Sequence, residues 1–484
     1  MSPADSGSWR RGCVDAAICR SAKRYLGAGV LAVAVMLLVA CVGPAPLPPL
    51  PQQAPGDWRN APAFDKTLGT APNLDSWWHA FGDTTLDALI ERARAQNLTL
   101  AQAQLRLRGA RALQHRSATQ YKPQVSFHTF AEPDPNGSTS YFEIGFDALW
   151  EFGFFGRGQA DARVASADAQ TAATDVVAAR VSVVAEVARN YMDLRAAQAR
   201  AALLDGIVAQ RREKLRLAQK RVELRIGTRV DADRAEAELA QASADASEPA
   251  AAIAQAQQAL AVLLAEDAPD ATLAAAAPQP ELAALAIGET PADLLRTRPE
   301  IRKAELNVLK AAGELGLARA DLYPKLALGG SLTSSTRMVG DIDRPNKGIP
   351  AVGPVIQWPI FDWGARHDLV DARDAALQAA VLAYRQAVLE GVAEAESALA
   401  QLDRQQKRMR ASAVSVRAFE RAAQSAGQLR GFGLADDVDT ANGALATAQA
   451  QLDRSLATHD LNLAFIALYK SFGGILPPLL PDPR

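Results

Sequence analysis

The sequence predicts a mainly α-helical chain with a small β part, built as a duplicated helical hairpin that carries four short membrane-type strands. Three observations predict it. The stretch "LRIGTRVDADRAEAELAQASAD" (residues 224–245) returns in outline as "LRGFGLADDVDTANGALATAQAQLD" (residues 429–453). Residues 158–226 contain no proline and stay charged throughout, as a very long helix in water would. Between the long stretches lie short segments in which apolar residues alternate with polar or small ones.

The bulk numbers agree. The chain has 484 residues, 49% hydrophobic and 22% charged, an ordered composition with room for more than one domain. A net charge of -2 offers no basic field to nucleic acid. Aromatic residues make up only 6% while alanine abounds, which favours closely packed helices over a large aromatic core. The three cysteines, Cys13, Cys19 and Cys41, precede the first folded segment, so no disulfide framework or thiolate metal site is expected. His79, His115, His128, His367 and His459 show no metal-ligand spacing, and no nucleophile–base pair or phosphate-binding glycine loop is visible. The chain is therefore not expected to be an enzyme or to hold a metal.

The first residues are an address. Lys23 and Arg24 precede the uncharged run "YLGAGVLAVAVMLLVA" (residues 25–40), short for a spanning helix and suited to an export signal. It ends in Leu38-Val39-Ala40-Cys41, which resembles a bacterial lipobox, so residues 1–40 read as a lipoprotein signal peptide and Cys41 as the lipidated residue. That covalent lipid is the one non-protein group expected. The n-region is long, so the true start is expected downstream of Met1. Residue 42 is not aspartate, which suits transfer to the outer membrane. Residues 41–75 hold the proline-rich "VGPAPLPPLPQQAP", a stiff tether.

The remainder divides into two repeats, residues 76–280 and 281–474, and a tail, 475–484. Residues 97–123 align without gaps to 298–324, an offset of 201. "WEFG" (150–153) then matches "FDWG" (361–364) at an offset of 211, and Gly227 matches Gly433 at 206. On this alignment the second copy carries ten extra residues before its long helix, expected in a loop. Each repeat opens with a helix that proline stops, from Thr85 to about Tyr121 before Pro123, and from Pro291 to Leu322 before Pro324.

Two strand pairs follow, at 124–150 and 325–361. Ile144, Phe146, Ala148 and Trp150 share one face, as do Leu326, Leu328, Gly330 and Leu332, and Val352, Pro354, Ile356 and Trp358. Turn-rich stretches at 132–140 and 340–348 separate the strands, and the prolines of "GPVIQWPIF" demand a bulge or a sheet edge. Such strands suit a membrane barrel, but four cannot close one and open edges cannot face lipid, so several chains would have to share it. A soluble sheet with one wet face fits the pattern as well. The long helices show a heptad-like ladder, Val177, Val181, Val184, Ala188 and Tyr191, with a twin at Leu399, Leu402, Met409, Ala413 and Val416. At about 1.5 Å per residue such a helix reaches about 100 Å, too long and too charged to lie in lipid. Each returns through a glycine turn into another long helix.

These features together resemble the TolC and OprM family of outer-membrane efflux channels, in its NodT-type lipoprotein branch. The resemblance spans roughly residues 75–474 and is carried by the lipobox, "WWHAFGD" (77–83), the helix-then-proline ends, "WEFG" and "FDWG", and the turns at Gly227–Asp231 and Gly433–Asp437. It implies a homotrimer with a twelve-stranded barrel in the outer membrane and a long coiled-coil α-barrel crossing the periplasm. It implies docking on a periplasmic adaptor (a membrane fusion protein) and an inner-membrane pump, most commonly of the resistance-nodulation-division type. The cargo of such channels is typically drugs, dyes, solvents or other amphipathic toxins, and the channel is a passive conduit.

The resemblance makes the two turns the periplasmic tips, with Gly227, Thr228, Gly433 and Leu434 as adaptor-docking residues. The candidate gate is Arg225, Asp231, Arg430, Asp436 and Asp437. Asp231 has a purely structural reading, the third residue of a helix capped by Thr228. Asp436 or Asp437 towards the lumen would form a threefold carboxylate ring, latched by Arg225 and Arg430. Ala435 stands where the family often has an acidic residue, which alters the latch. The alternative function is a lipid-anchored periplasmic coiled-coil adaptor protein of an export system, but adaptors usually carry one hairpin between β halves, whereas this chain repeats the hairpin.

Overall fold

The computed structural model describes residues 46–50, 58–60, 74–132, 141–282, 297–337 and 348–474. The signal segment, Cys41, most of the tether, both strand-connecting turns, the stretch from Pro291 to residue 296 and the tail lie outside them.

A short 3-10 helix, Trp77–Phe81, ends at Gly82 in the left-handed region (φ 59°). Asp83 then caps α1 (Thr84–Gln96), accepting from the Thr85 and Leu86 amides at 2.8 and 3.0 Å. α2 (Leu98–Thr119) follows after a break at Asn97. The single opening helix expected from the sequence is therefore two. Asn97 leaves the helix with ψ 127°, caps Leu100, and donates its side-chain amide to the Leu263 carbonyl at 2.7 Å. Its partner at the offset of 201, Arg298, is likewise extended and stands at the N-cap position of α6 (Pro299–Ala320), without a side-chain cap.

Strands β1 (Gln124–Glu132), β2 (Tyr141–Phe152), β3 (Lys325–Arg337) and β4 (Ile349–Gln357) form one antiparallel sheet in that order. The two hairpins are thus joined through β2 and β3, with Phe146 opposite Leu332. β1 and β4 are the free edges of the sheet, and Pro350 and Pro354 sit on an edge strand, where a missing N–H is tolerated.

Two long helices descend from the sheet, α3 (Arg157–Glu223) and α7 (Ala365–Gly431), each 67 residues and so about 100 Å long. α3 returns through α4 (Arg229–Asp245) and α5 (Glu248–Leu263), whereas α7 returns through the unbroken α8 (Asp437–Phe472). The first return was expected as one helix. It breaks at Ser247, where Pro249 in the first turn of α5 cannot donate to the preceding turn.

The structure also corrects the repeat alignment. Both long helices start after a left-handed pair, Phe155–Gly156 (φ 57° and 78°) and Trp363–Gly364 (φ 59° and 88°). Both end 67 residues later, and the next caps are Thr228 and Asp436. The offset is therefore 208 from the top of the helices to the tips, not 211 and then 206, and the second copy has seven extra residues rather than ten (208 − 201). They are not confined to a loop. β3 is 13 residues against 9 in β1, and the link from β4 to α7 is also longer.

The main core lies where α1, α3 and α8 meet, about halfway down. Trp77 stacks on Tyr469 (5.8 Å, 21°), Phe81 meets Phe465 edge-on at 5.4 Å, and Tyr191 donates to Asp83 at 2.8 Å. The ladder holds: Val177, Val184, Ala188 and Tyr191 are buried in α3, and Leu399, Leu402 and Val416 in α7. Arg92 of α1 binds Asp270 at 2.7 Å and Glu266 at 2.5 Å, tying the first repeat's return arm to the core. The tether comes to rest here: the Glu396 carboxylate accepts from the backbone amides of Arg59 and Asn60 at 2.7 and 2.8 Å, and Trp58 lies 6.0 Å from Phe472.

Candidate functional site

The sheet has two chemically distinct faces. Residues directly opposite in an antiparallel register share a face. One face carries Val125 and Phe127 of β1, Ile144, Phe146 and Trp150 of β2, Leu326, Leu328 and Leu332 of β3, and Val352 and Ile356 of β4. These side chains are exposed or half-buried within one chain, with Val125 at 70% and Phe127 at 57%. The other face carries Ser126, His128, Glu143, Asp147, Ser331 and Thr333, with Phe130, Leu149 and Val355 standing exposed among them, so it is the more polar of the two rather than free of apolar groups. Apolar outside and polar inside is the signature of a strand wall between lipid and water. Among the described residues no helix is long and apolar enough to cross a membrane. At the foot of the sheet Ile360, Phe361 and Trp363 form an exposed apolar shelf, Trp363 at 89%.

The far ends of the helices form two tips. In the first, Arg225 takes the left-handed position (φ 60°), and the Ile226 and Gly227 amides bond back to the Arg221 carbonyl at 2.9 and 3.0 Å. In the second, Gly433 holds that position (φ 74°) and Leu434 bonds back to Leu429 at 2.9 Å. Arg225, not Gly227, is therefore the counterpart of Gly433. Gly227 still cannot bear a side chain, since a Cβ there would come within 2.8 Å of the Arg221 Cβ.

Each return helix opens with a capping box. Thr228 and Asp231 exchange bonds in the first, Asp436 and Asp439 in the second. The Thr228 hydroxyl holds Asp231 below the usual carboxylate range. The backbone amide of Asp439 does the same for Asp436, with Arg221 adding to the effect.

One of the expected charge pairs is present and the other is made by a different arginine. Arg430 binds Asp437 at 2.6 Å within the second tip. Asp436 is reached by Arg221, at 3.0 Å, across from the first tip. Among the described residues Arg225 is placed against neither aspartate, because its backbone makes the turn and Arg221, one helical turn earlier, faces the neighbour hairpin. Sequence reasoning missed Arg221 and Asp439. Asp439 had a legible signal, a carboxylate three residues after an N-cap, while Arg221 had none. Leu224, Ile226 and Val230 on the first tip, and Phe432 and Leu434 on the second, stand exposed.

A sheet with one lipid-compatible face and one polar face, rooted on two hairpins of 67-residue helices, defines a channel-forming membrane protein with a helical shaft. The chain belongs to the outer membrane efflux protein family, whose pattern it matches over residues 89–266 and 290–474. It is 28% identical to Nodulation protein T of Rhizobium leguminosarum bv. trifolii, over 89% of this chain and 91% of that one. It is 27% identical to the pyoverdine export outer membrane protein OpmQ of Pseudomonas aeruginosa, over 76% and 80%. The solved outer-membrane channel OprN superposes with a TM-score of 0.79 at 28% identity, covering 90% of this chain and 99% of that one. The chain is thus an outer-membrane efflux channel of the NodT-type branch, seated in the outer membrane and extending into the periplasm. The adaptor reading gives way to it.

Proposed function

We propose that three copies of this chain close one twelve-stranded barrel and one helical shaft, forming the passive outer component of a tripartite efflux system. The observation that carries this reading is the sheet, which has one apolar face and free edges at β1 and β4. Bare edges cannot face lipid, and four strands enclose nothing. Pairing β1 of one chain with β4 of the next removes every edge.

The chain divides into a signal peptide (1–40), a lipidated Cys41 with its tether (41–75), two channel repeats (76–280 and 281–474) and a tail. The anchor fits the tether's reach. From Cys41 to Arg59 an extended chain spans at most about 60 Å. From the foot of the sheet at Ala365 down to Glu396, α7 rises about 47 Å. The Glu396 clamp therefore leaves enough chain for an acyl group on Cys41 to enter the membrane.

The tips dock on a periplasmic adaptor through the backbone at Gly227, Thr228, Gly433 and Leu434 and the exposed apolar side chains beside them. Arg221–Asp436 and Arg430–Asp437 hold the tips closed, with Asp231 as a helix cap and Arg225 as a turn residue. An adaptor that binds the separated tips better shifts the channel open. Energy comes from an inner-membrane pump, of the resistance-nodulation-division type in this reading, and no catalytic step is required of the channel. The cargo is drugs, dyes or other toxic amphipathic molecules.

Efflux in a strain lacking its own outer-membrane channels tests this. Expression of the chain with its adaptor and pump is expected to lower ethidium accumulation, and a Cys41→Ala variant to lose its acyl chains and part of that activity. Accumulation unchanged by the wild-type chain, expressed and inserted with both partners, would refute it.

A further inference from the structure

Inside one chain the two repeats meet along a seam. β2 pairs with β3, α3 packs along α6, and between sheet and helices the Phe155 ring stacks on Tyr323 at 5.0 Å and 13°. Further down, Lys310 binds Asp168 at 2.8 Å, and a Cβ on Gly313 would come within 2.7 Å of Val164. Trp363 is the counterpart of Phe155, 208 residues on and with the same left-handed backbone (φ 59° and 57°). Phe155 is half-buried under Tyr323, but Trp363 stands bare and meets Phe361 edge-on at 4.8 Å. An indole held in a strained position and left to water is a surface waiting for a partner.

The helices repeat the contrast. α2 and α6, counterparts at the offset of 201, both have 22 residues, yet α6 buries ten of them and α2 only Leu100 and Ala103. Leu306 shares the line of Lys303, Lys310 and Gly313, which faces α3, and is fully buried. Its counterpart on α2, Leu105, is 58% exposed. On α3, Ala160, Ala167 and Thr174 are buried, while their counterparts on α7, Asp368, Ala375 and Leu382, are exposed. β1 and β4 carry bare edges on the same two flanks. What the α7 flank lacks is an α2 flank, and what the α2 flank lacks is an α7 flank. A second copy of this chain supplies both.

Tyr323 has Lys122 as its counterpart at the offset of 201. We propose that Lys122 of one chain lies over the Trp363 ring of the next, where Tyr323 covers Phe155 within a chain, and that α2 packs on that chain's α7 in the register of α6 on α3. The inference rests on the reading that chains share one barrel, and it fixes how they meet. The two changes match each other. A ring on a ring in the inner seam becomes an exposed ammonium on an exposed indole in the outer one, and tryptophan is the best cation–π acceptor. Lower down, Lys303 and Lys310 bind Asp175 and Asp168, so Leu306 is level with that stretch of α3. The same register sets Leu105 level with Ala376 to Ala383 of α7, a stretch that includes the exposed Leu382.

The test uses the full-length protein purified in detergent. Lys122→Cys combined with Trp363→Cys, treated with a short bis-maleimide, should give a denaturing-gel ladder that stops at three chains. Phe155→Cys with Tyr323→Cys should close within one chain and give no ladder. Lys122→Ala and Trp363→Ala should each lower the midpoint of thermal dissociation of the oligomer on SDS gels, with the double variant no lower than Trp363→Ala and Lys122→Arg close to wild type. A trimer without the Lys122–Trp363 crosslink would overturn this contact and leave the shared barrel standing, whereas monomers throughout would overturn both. Losses that simply add, or a loss in Trp363→Ala that Lys122→Ala does not share, would give Trp363 to the lipid interface and overturn the contact.

Discussion

The two repeats send down helices of equal length and bring them back differently. α3 and α7 are both 67 residues, but α3 returns in two pieces and α7 in one. A shaft with a common floor demands matched descending helices, whereas the return arms are free to serve other purposes. The break at Ser247 and Pro249 lets α5 end at Leu263, under the Asn97 side chain, and brings Glu266 and Asp270 to Arg92. The unbroken α8 instead carries Phe465, Tyr469 and Phe472 into the main core. One arm is fastened by polar groups and the other by aromatic packing.

The largest expected effect comes from cutting the polar fastening. Asn97→Ala removes a helix cap and leaves the partly buried Leu263 carbonyl without that partner, a loss of about 2 kcal/mol. Thermal dissociation of the oligomer on SDS gels should show a clearly lower midpoint. An unchanged midpoint would mean that the broken arm is not held there.

Next come the tips. Arg221→Ala breaks the ion pair that joins one tip to the other. An exposed pair contributes about 0.5 kcal/mol, so three copies give about 1.5 kcal/mol, or about tenfold in the closed-to-open balance. Single-channel conductance in planar bilayers should rise, more at low salt than at high. Arg430→Ala should raise it less, because its partner lies in the same tip. An equal rise, or none for Arg221→Ala, would remove the cross-tip pair from the gate.

A smaller, reciprocal effect tests the corrected alignment. Gly433→Ala places a side chain in a left-handed turn and should cost about 1 kcal/mol, while Arg225→Gly at the equivalent position should relieve a similar strain. Protease nicking rates at the two tips should move in opposite directions. The smallest effect is that of pH. Asp231 and Asp436 have lowered pKa values, so their caps are at full strength above the ordinary value of 3.8 and are lost as pH falls through the lower folded values. Conductance should therefore rise only in strong acid, and less so in Asp436→Asn.

Much of this was legible in the residues. Length without proline announced the long helices, alternation announced the strands, and duplication announced the hairpins. The offset was not legible. Pairing glycine with glycine set Gly227 against Gly433, but the left-handed position in the first tip belongs to Arg225, and a strained non-glycine leaves no trace in sequence. The same error matched "WEFG" to "FDWG" when Phe155–Gly156 is the true counterpart of Trp363–Gly364. The break at Ser247 did have a signal, Pro249 in a first turn, outweighed by the helical run around it. Arg221 could not have been found, because its partner lies 215 residues away and only the packing of the hairpins brings them together.

Closure of the sheet between chains can be measured directly. Single cysteines placed together on the two free edges, Ser126→Cys on β1 with Ala351→Cys, Gly353→Cys or Val355→Cys on β4, would be oxidised in isolated outer membranes and resolved on denaturing gels. One of the three pairs should give a crosslinked ladder that stops at three chains. A ladder running past three, or none with any pair, would contradict a barrel shared by three chains.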